Sequence, residues 1–411
     1  MTGVEHVAVR GGVYRDSVTL LRISQAASDT PGVTAAQVAM ATPLNIELAE
    51  GLGFRVPDGA GQNELLITLR GDDDAALAAG LSAVEGALNA APAAAAAGTG
   101  IARPRTVRSA AAMAPAAAIV QLSVPGSSVI GEALDAIAAG RHVMIFSDNV
   151  PVEQEVSLKT TAEAAGVLVM GPDCGTAMIG GVGLGFANAL RDNDSGPRVG
   201  VVAASGTGAQ QLTCLLDDAG VTVSHVLGVG GRDLSEAVAG RSTLAALRML
   251  DEDPGTDHIV LISKPPHPAT AATVLAATAA SGTPVTTVLL GPGSPDITAG
   301  VERVLAAVGA PVPVWRRWEP ATGGAAGGEP LAAARQGALR GLFSGGTLAD
   351  EAMLVAGAVL GDIRSNIPLR PDLALPVSAT QHGRPQLAGL GRAILDLGDD
   401  EFTLGRPHPM I

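Results

Sequence analysis

The sequence predicts an α/β protein with parallel sheets, preceded by a small α+β domain, and three observations lead there. Short apolar runs alternate with helical segments from residue 116 to residue 314, the pattern of βαβ units and hence of a parallel sheet. These runs end in loops rich in glycine or proline. The chain of 411 residues is 47% hydrophobic but only 2% aromatic, which suits layers of Ala, Val, Leu and Ile packed closely together.

Residues 1–90 form the small α+β domain, with a ferredoxin-like arrangement as one option. Strands are expected at His6 to Val9, Val33 to Met40 and Glu64 to Leu69, with a helix from Asp16 or Ser17 to Ala27. Thr42-Pro43 reads as the cap and first residue of a short helix. Asp72, Asp73 and Asp74 start another, their carboxylates on its positive end; with no second ligand cluster, no metal site is expected. Residues 91–115, with the run Ala93 to Ala97, are a linker with some helical character.

The unit at 116–195 has strands at Ile119 to Val124, His142 to Phe146 and Val167 to Met170, with helices at about Ser128 to Ala139 and Val152 to Ala165. Its loops Pro125-Gly126, Ser147-Asp148-Asn149 and Gly171 to Gly175 fall on one sheet edge, the carboxyl edge where open α/β sheets bind ligands. The unit at 196–314 has strands at Val199 to Ala204, Ser224 to Val229, Ile259 to Ser263 and Val285 to Leu290. A linker at 315–336 follows, and 337–411 begins a further strand, loop and helix that ends inside a domain.

Two loops of one kind carry the functional signal: Ser205-Gly206-Thr207-Gly208 and Ser344-Gly345-Gly346-Thr347. Each follows an apolar run and opens a helix, so free N–H groups and a helix dipole converge on an anion site. Thr207 and Thr347 either donate hydroxyls to a phosphate or cap their helices. Neither loop is a Walker loop or a GxGxxG fingerprint. Lys264, in Lys264-Pro265-Pro266-His267, follows a strand at the same edge and is a candidate catalytic residue, with His267 a weaker one. Pro172, Asp173, Cys174 and Gly175 form a compact loop that shapes a ligand site or is structural, since nothing in the sequence lowers the thiol pKa. Gly230 and Gly231 permit close backbone approach, and Asp233 or Ser235 caps the next helix.

A net charge of −14 opposes binding to nucleic acid or to an anionic membrane surface. Two cysteines, Cys174 and Cys214, form no disulfide framework, and the histidines show no metal-ligand spacing. No signal core or membrane helix is visible, and a reduced cytoplasm is the expected location.

At these loops the chain resembles a known family. Residues 116–314 are similar to the α subunit of succinyl-CoA synthetase, through Met170 to Gly175, Val201 to Thr207 and Gly228 to Gly231. Over its length the chain resembles FdrA-type acyl-CoA-synthetase-like proteins, carried by Gly171 to Asn188, Arg340 to Ala352 and Asp396 to Ile411. The resemblance implies a CoA-binding Rossmann-like domain at 116–195, a flavodoxin-like ligase domain at 196–314 and a second ligase-like segment at 337–411.

In the synthetases two helix N-termini face a phosphohistidine, and here both loops lie in one chain. The histidine's place after Val285 to Leu290 holds Gly291-Pro292-Gly293-Ser294-Pro295, its acidic partner aligns near Lys264, and the first CoA glycine loop and a nucleotide-grasp domain are missing. The resemblance therefore implies a phosphate-dependent carbamoyl or acyl transferase, with oxamate carbamoyltransferase as the leading activity. Phosphate or an acyl phosphate is then a substrate, and CoA binding stays open. A small anionic metabolite and partner subunits are expected, with homo-oligomer formation open. An ADP-forming acyl-CoA ligase component and a non-enzymatic CoA- or metabolite-binding scaffold are the alternatives.

Overall fold

The computed structural model describes residues 3–13, 17–57, 59–61, 64–89, 104–187, 190, 196–291, 293–316, 338–375 and 391–403. The chain forms two compact units, residues 1–102 and 103–411.

The first unit runs β1 (Val4–Arg10), α1 (Ser17–Ser28), β2 (Val33–Met40), α2 (Pro43–Gly51), β3 (Leu65–Gly71) and α3 (Asp74–Asn89). The sheet order is β1-β3-β2, with β3 antiparallel to both neighbours. This is the split βαβ arrangement of ferredoxin-like folds. The central strand is buried on both faces, which is why it reads as a continuous apolar run. Leu65, Ile67 and Leu69 pack with Leu20, Ile23 and Val84, while Leu66 packs with Ala49 and Phe54 on the other side. Thr42 caps α2 by accepting from Asn45 N–H, and Asp73 accepts from Ala76 N–H at the start of α3.

The second unit begins inside the expected linker. α4 (Val107–Met113) is started by a capping box between Thr106 and Ser109, while residues 91–103 lie outside the described residues. It leads into β4 (Ile119–Leu122), α5 (Val129–Ala138), β5 (His142–Ile145), α6 (Val152–Ala165) and β6 (Val169–Met170). The strands form a parallel sheet in the order β4-β5-β6.

A hairpin of β7 (Thr176–Ile179) and β8 (Val182–Gly185) comes next, turning through Gly180 and Gly181, both at positive φ. Two such residues suit a tight hairpin turn. The hairpin corrects the boundary expected at residue 196, because β7 pairs antiparallel with β10 (Thr222–Gly228) of the following sheet. That sheet also contains β9 (Arg198–Ala204), β11 (His258–Ser263) and β12 (Val285–Leu289), in the order β12-β11-β9-β10-β7-β8. Its parallel part is wound as in flavodoxin-like folds, and the strand order reverses at β9, where such folds bind ligands. The intervening helices are α7 (Gly206–Asp218), α8 (Arg241–Asp251), α9 (Pro268–Ala280) and α10 (Ile297–Val308).

Residues 317–337, most of the second expected linker, lie outside the described residues. Beyond them β13 (Leu339–Phe343), α11 (Gly346–Leu360) and β14 (Arg392–Asp396) form a parallel strand–helix–strand unit, followed by the short α12 (Asp400–Thr403). α11 is docked on the larger sheet's helices. Leu348 and Leu354 pack on the core shared by α7 and α10, and Glu351 Oε1 accepts from Ile297 N–H at the start of α10 at 2.7 Å.

One buried charge network fixes the loop after β10. Lys159 Nζ donates to Glu155 Oε1 and Asp233 Oδ1, both at 2.7 Å, and to the Val229 carbonyl at 2.9 Å. Asp233, fully buried, also accepts from Ser242 N–H, Thr243 N–H and the Thr243 hydroxyl. It thus caps α8, as the sequence suggested, but from across a nine-residue separation. Removing one member of such a set strands a buried charge. Asp233→Ala is expected to lower the unfolding free energy by about 3–5 kcal/mol in a urea titration, and a loss below about 1 kcal/mol would show that the network is solvent-screened.

Candidate functional site

Strand β9 ends at the sheet's reversal point, and the chain turns there into α7. Ser205 caps the helix, its Oγ accepting from Gly208 N–H at 3.0 Å. The same Oγ shares a short hydrogen bond with Thr347 Oγ1, in the first turn of α11. The two helix starts therefore touch. A Cβ on Gly208 would lie 2.9 Å from Thr347 Cγ2, and one on Gly345 would collide with the Thr207 side chain. Only glycine at these positions lets the helices come so close.

This contact divides the expected phosphate residues. Ser205, Gly208 and Thr347 are buried in the joint, where the two hydroxyls satisfy each other, and none of the three lines a cavity. Gly206, Thr207, Ser344, Gly345 and Gly346 form the wall of a cavity of about 480 Å³. The first N–H groups of both helices have no intrahelical acceptor, and both helix starts, the positive ends of their dipoles, lie at this wall.

Lys264 lines the same cavity from the end of β11. The point where a Gly346 side chain would begin is 3.1 Å from Lys264 Nζ, Lys264 Cδ and Asp396 Oδ2 alike, so glycine leaves the space these groups occupy. Among the described residues no carboxylate lies within ion-pair distance of the Lys264 ammonium. His267 lies elsewhere: it precedes α9, its Nε2 is 3.9 Å from Glu236 Oε2, and it does not line the cavity.

Of the shaping residues, Pro172, Asp173, Gly175 and Gly231 reach the cavity, while Cys174 and Gly230 do not line it. Burial pushes the Cys174 thiol up to about 12, so it is not a nucleophile; its Sγ contacts the Thr176 carbonyl. Gly230, at positive φ, stacks its backbone directly on Gly171 and Pro172.

The rest of the wall was only partly legible. The ends of β4 and β5 contribute Ser123, Phe146, Ser147, Asp148 and Asn149, the last three on a loop the sequence placed at this edge. Phe146 and Phe186 form a tilted pair with ring centroids 5.4 Å apart. Gln210, one turn into α7, donates to Thr176 Oγ1 at 3.0 Å. Arg232 lines the rim but is anchored, donating to the Val150 carbonyl at 2.7 Å beside Glu155. Asp396 and Asp399 were not anticipated, although they lie in the tract Asp396 to Ile411, of which residues 404–411 are outside the described residues.

A family model described as "AllF, heavy metal-associated domain" matches residues 1–104. The uncharacterized protein YahF of Escherichia coli K12 is 38% identical over 98% of this chain and 78% of its own length. The chain belongs to the FdrA/AllF-type family. This FdrA/AllF-type chain is also similar to ligase subunits: the succinate–CoA ligase α subunit of Methanothermobacter thermautotrophicus is 28% identical over 34% of the chain and 46% of that subunit. A methanogen ATP citrate lyase, solved with citrate and coenzyme A, aligns over 45% of this chain and 31% of its own, at 17% identity and a TM-score of 0.39. Both cysteines lie beyond residue 104, so the domain matched by the heavy-metal-associated model has no thiolate with which to hold a soft metal.

Gly345→Ala is expected to separate the two helix starts and to weaken binding of inorganic phosphate or sulfate by about 10- to 100-fold, the loss of one or two charge-assisted hydrogen bonds. Calorimetric titration checks this; unchanged affinity would mean the helix starts do not hold the anion.

Proposed function

We propose that this cavity holds phosphate or an acyl phosphate and that the chain is a subunit of a phosphate-dependent carbamoyl or acyl transferase. The reading rests on one observation: two helix N-termini and Lys264 converge on the same cavity. Phosphate held by both helix starts presents an oxygen to the carbamoyl carbon. In the favoured reaction, oxalurate plus phosphate to oxamate plus carbamoyl phosphate, that C–O bond forms as the carbamoyl C–N bond breaks. The departing amide nitrogen takes the proton that the attacking phosphate gives up. Lys264 and the helix ends offset charge on the phosphate and on the tetrahedral oxyanion. The loop Gly291 to Pro295 offers no histidine to carry phosphate covalently, which favours direct attack. Partner subunits complete the assembly in this reading.

The similarity to succinate–CoA ligase α subunits supports a second reading, a component of an ADP-forming acyl-CoA ligase. Carbamoyl phosphate formation from oxalurate and phosphate, assayed with the products of neighbouring genes added, separates the two. Lys264→Ala is expected to reduce that rate by about 10²- to 10³-fold, the effect of losing one preorganised charge-stabilising donor. A phosphoenzyme formed from labelled ATP would instead support the ligase reading.

A further inference from the structure

One buried carboxylate beside the start of α11 has no part in the proposed transfer. Asp350 lies one turn along α11 from Gly346 and is 4% exposed. Among the described residues nothing donates a hydrogen bond to its carboxyl group. A buried carboxylate without a donor is costly, so such a group either binds a proton or has a role tied to a nearby charge. Two charges act on it: Lys264 from the end of β11, and Asp396 from the end of β14. Among the described residues these are the two charges that act on it. α7 offers the hydroxyls of Ser205 and Thr207, and β13 ends in Phe343.

We propose that Asp350 is a positioning residue of the anion clamp: it lies one turn beyond the helix start that Lys264 reaches, and it takes up a proton from solvent when a doubly charged tetrahedral anion enters, withdrawing one carboxylate charge from the anion's surroundings. This rests on the cavity being an anion site, as argued above. The location serves the role. Lys264 Nζ and Asp396 Oδ2 both reach the start of α11, so an anion arriving at that helix start meets the ammonium and is repelled by Asp396 and by the charged form of Asp350. Losing the Asp350 charge relieves that repulsion without moving any backbone.

The sign follows from linkage. Burial, reinforced by Asp396 and opposed by Lys264, pushes Asp350 up to about 7. Below that pH the group is already protonated and anion affinity is level. Above it the free protein holds the charge, and affinity falls by about tenfold per pH unit as each binding event must recruit a proton.

Calorimetric titration of the full chain with sodium sulfate, which does not itself titrate in this range, tests the idea between about pH 6 and pH 9. The wild-type chain is expected to lose affinity above about pH 7 and to take up close to one proton per sulfate, read from buffers of different ionisation heat. Asp350→Asn is expected to bind sulfate with a flat pH profile and no proton uptake. Asp396→Asn, which removes the like charge, moves the window to lower pH and gives the readout even if the first variant does not fold. A wild-type pH profile retained in Asp350→Asn, or wild-type sulfate binding independent of pH, overturns the role of Asp350 alone. Absence of sulfate binding by every form at every pH overturns the clamp reading and this role with it.

Discussion

A single hydroxyl contact, Ser205 to Thr347, sets the distance between two helix starts that electrostatics alone would push apart. Each carries about half a positive charge at its N-terminus, and here both ends point into one cavity. The contact is made possible by residues with no side chain at Gly208 and Gly345, and it is braced from outside by Leu348, Leu354 and Glu351. α7 is fixed by the reversal of strand order at β9, whereas α11 belongs to a small strand pair of its own. The joint holds the two positive ends side by side at one cavity, and an anion placed between them would relieve the repulsion that the joint holds in check.

The charge balance of the wall explains how an acidic chain presents such a site. Four carboxylates, Asp148, Asp173, Asp396 and Asp399, line the cavity against the two cations Lys264 and Arg232, and Arg232 is anchored to Val150 and Glu155. Attraction for an anion thus comes from backbone N–H groups at short range and from one lysine, not from a broad positive field. Such a site favours a compact anion that can enter between the helix starts and disfavours an extended polyanion, whose remaining charges would face the carboxylates.

Much of this was legible in the sequence because local signals and tertiary structure agree. The strands β9 to β12 and the helix α6 fall where apolar periodicity puts them, and Thr42 caps its helix as its position before Pro43 implies. The hairpin β7–β8 was missed because its strands are short and glycine-rich; the Gly180-Gly181 pair was its one available sign. Ser205 and Thr347 were read as phosphate ligands because loop chemistry shows a free hydroxyl, and only the fold shows that each hydroxyl has the other as partner. Asp350 and Gln210 escaped notice for a related reason. They lie on the helices, one turn beyond the glycines, and their relation to the cavity depends on how each helix is rotated, which spacing alone does not reveal.

The residues of the joint are separated by 142 positions. During synthesis at about 5–20 residues per second, the first helix start emerges roughly 7–30 s before its counterpart. The sheet that carries α7 can fold in that interval, but it presents one half of a receptor with Ser205 still unpaired to Thr347. The cavity between the two helix starts is therefore completed only once the strand–helix–strand unit that carries Thr347 has been made and has docked.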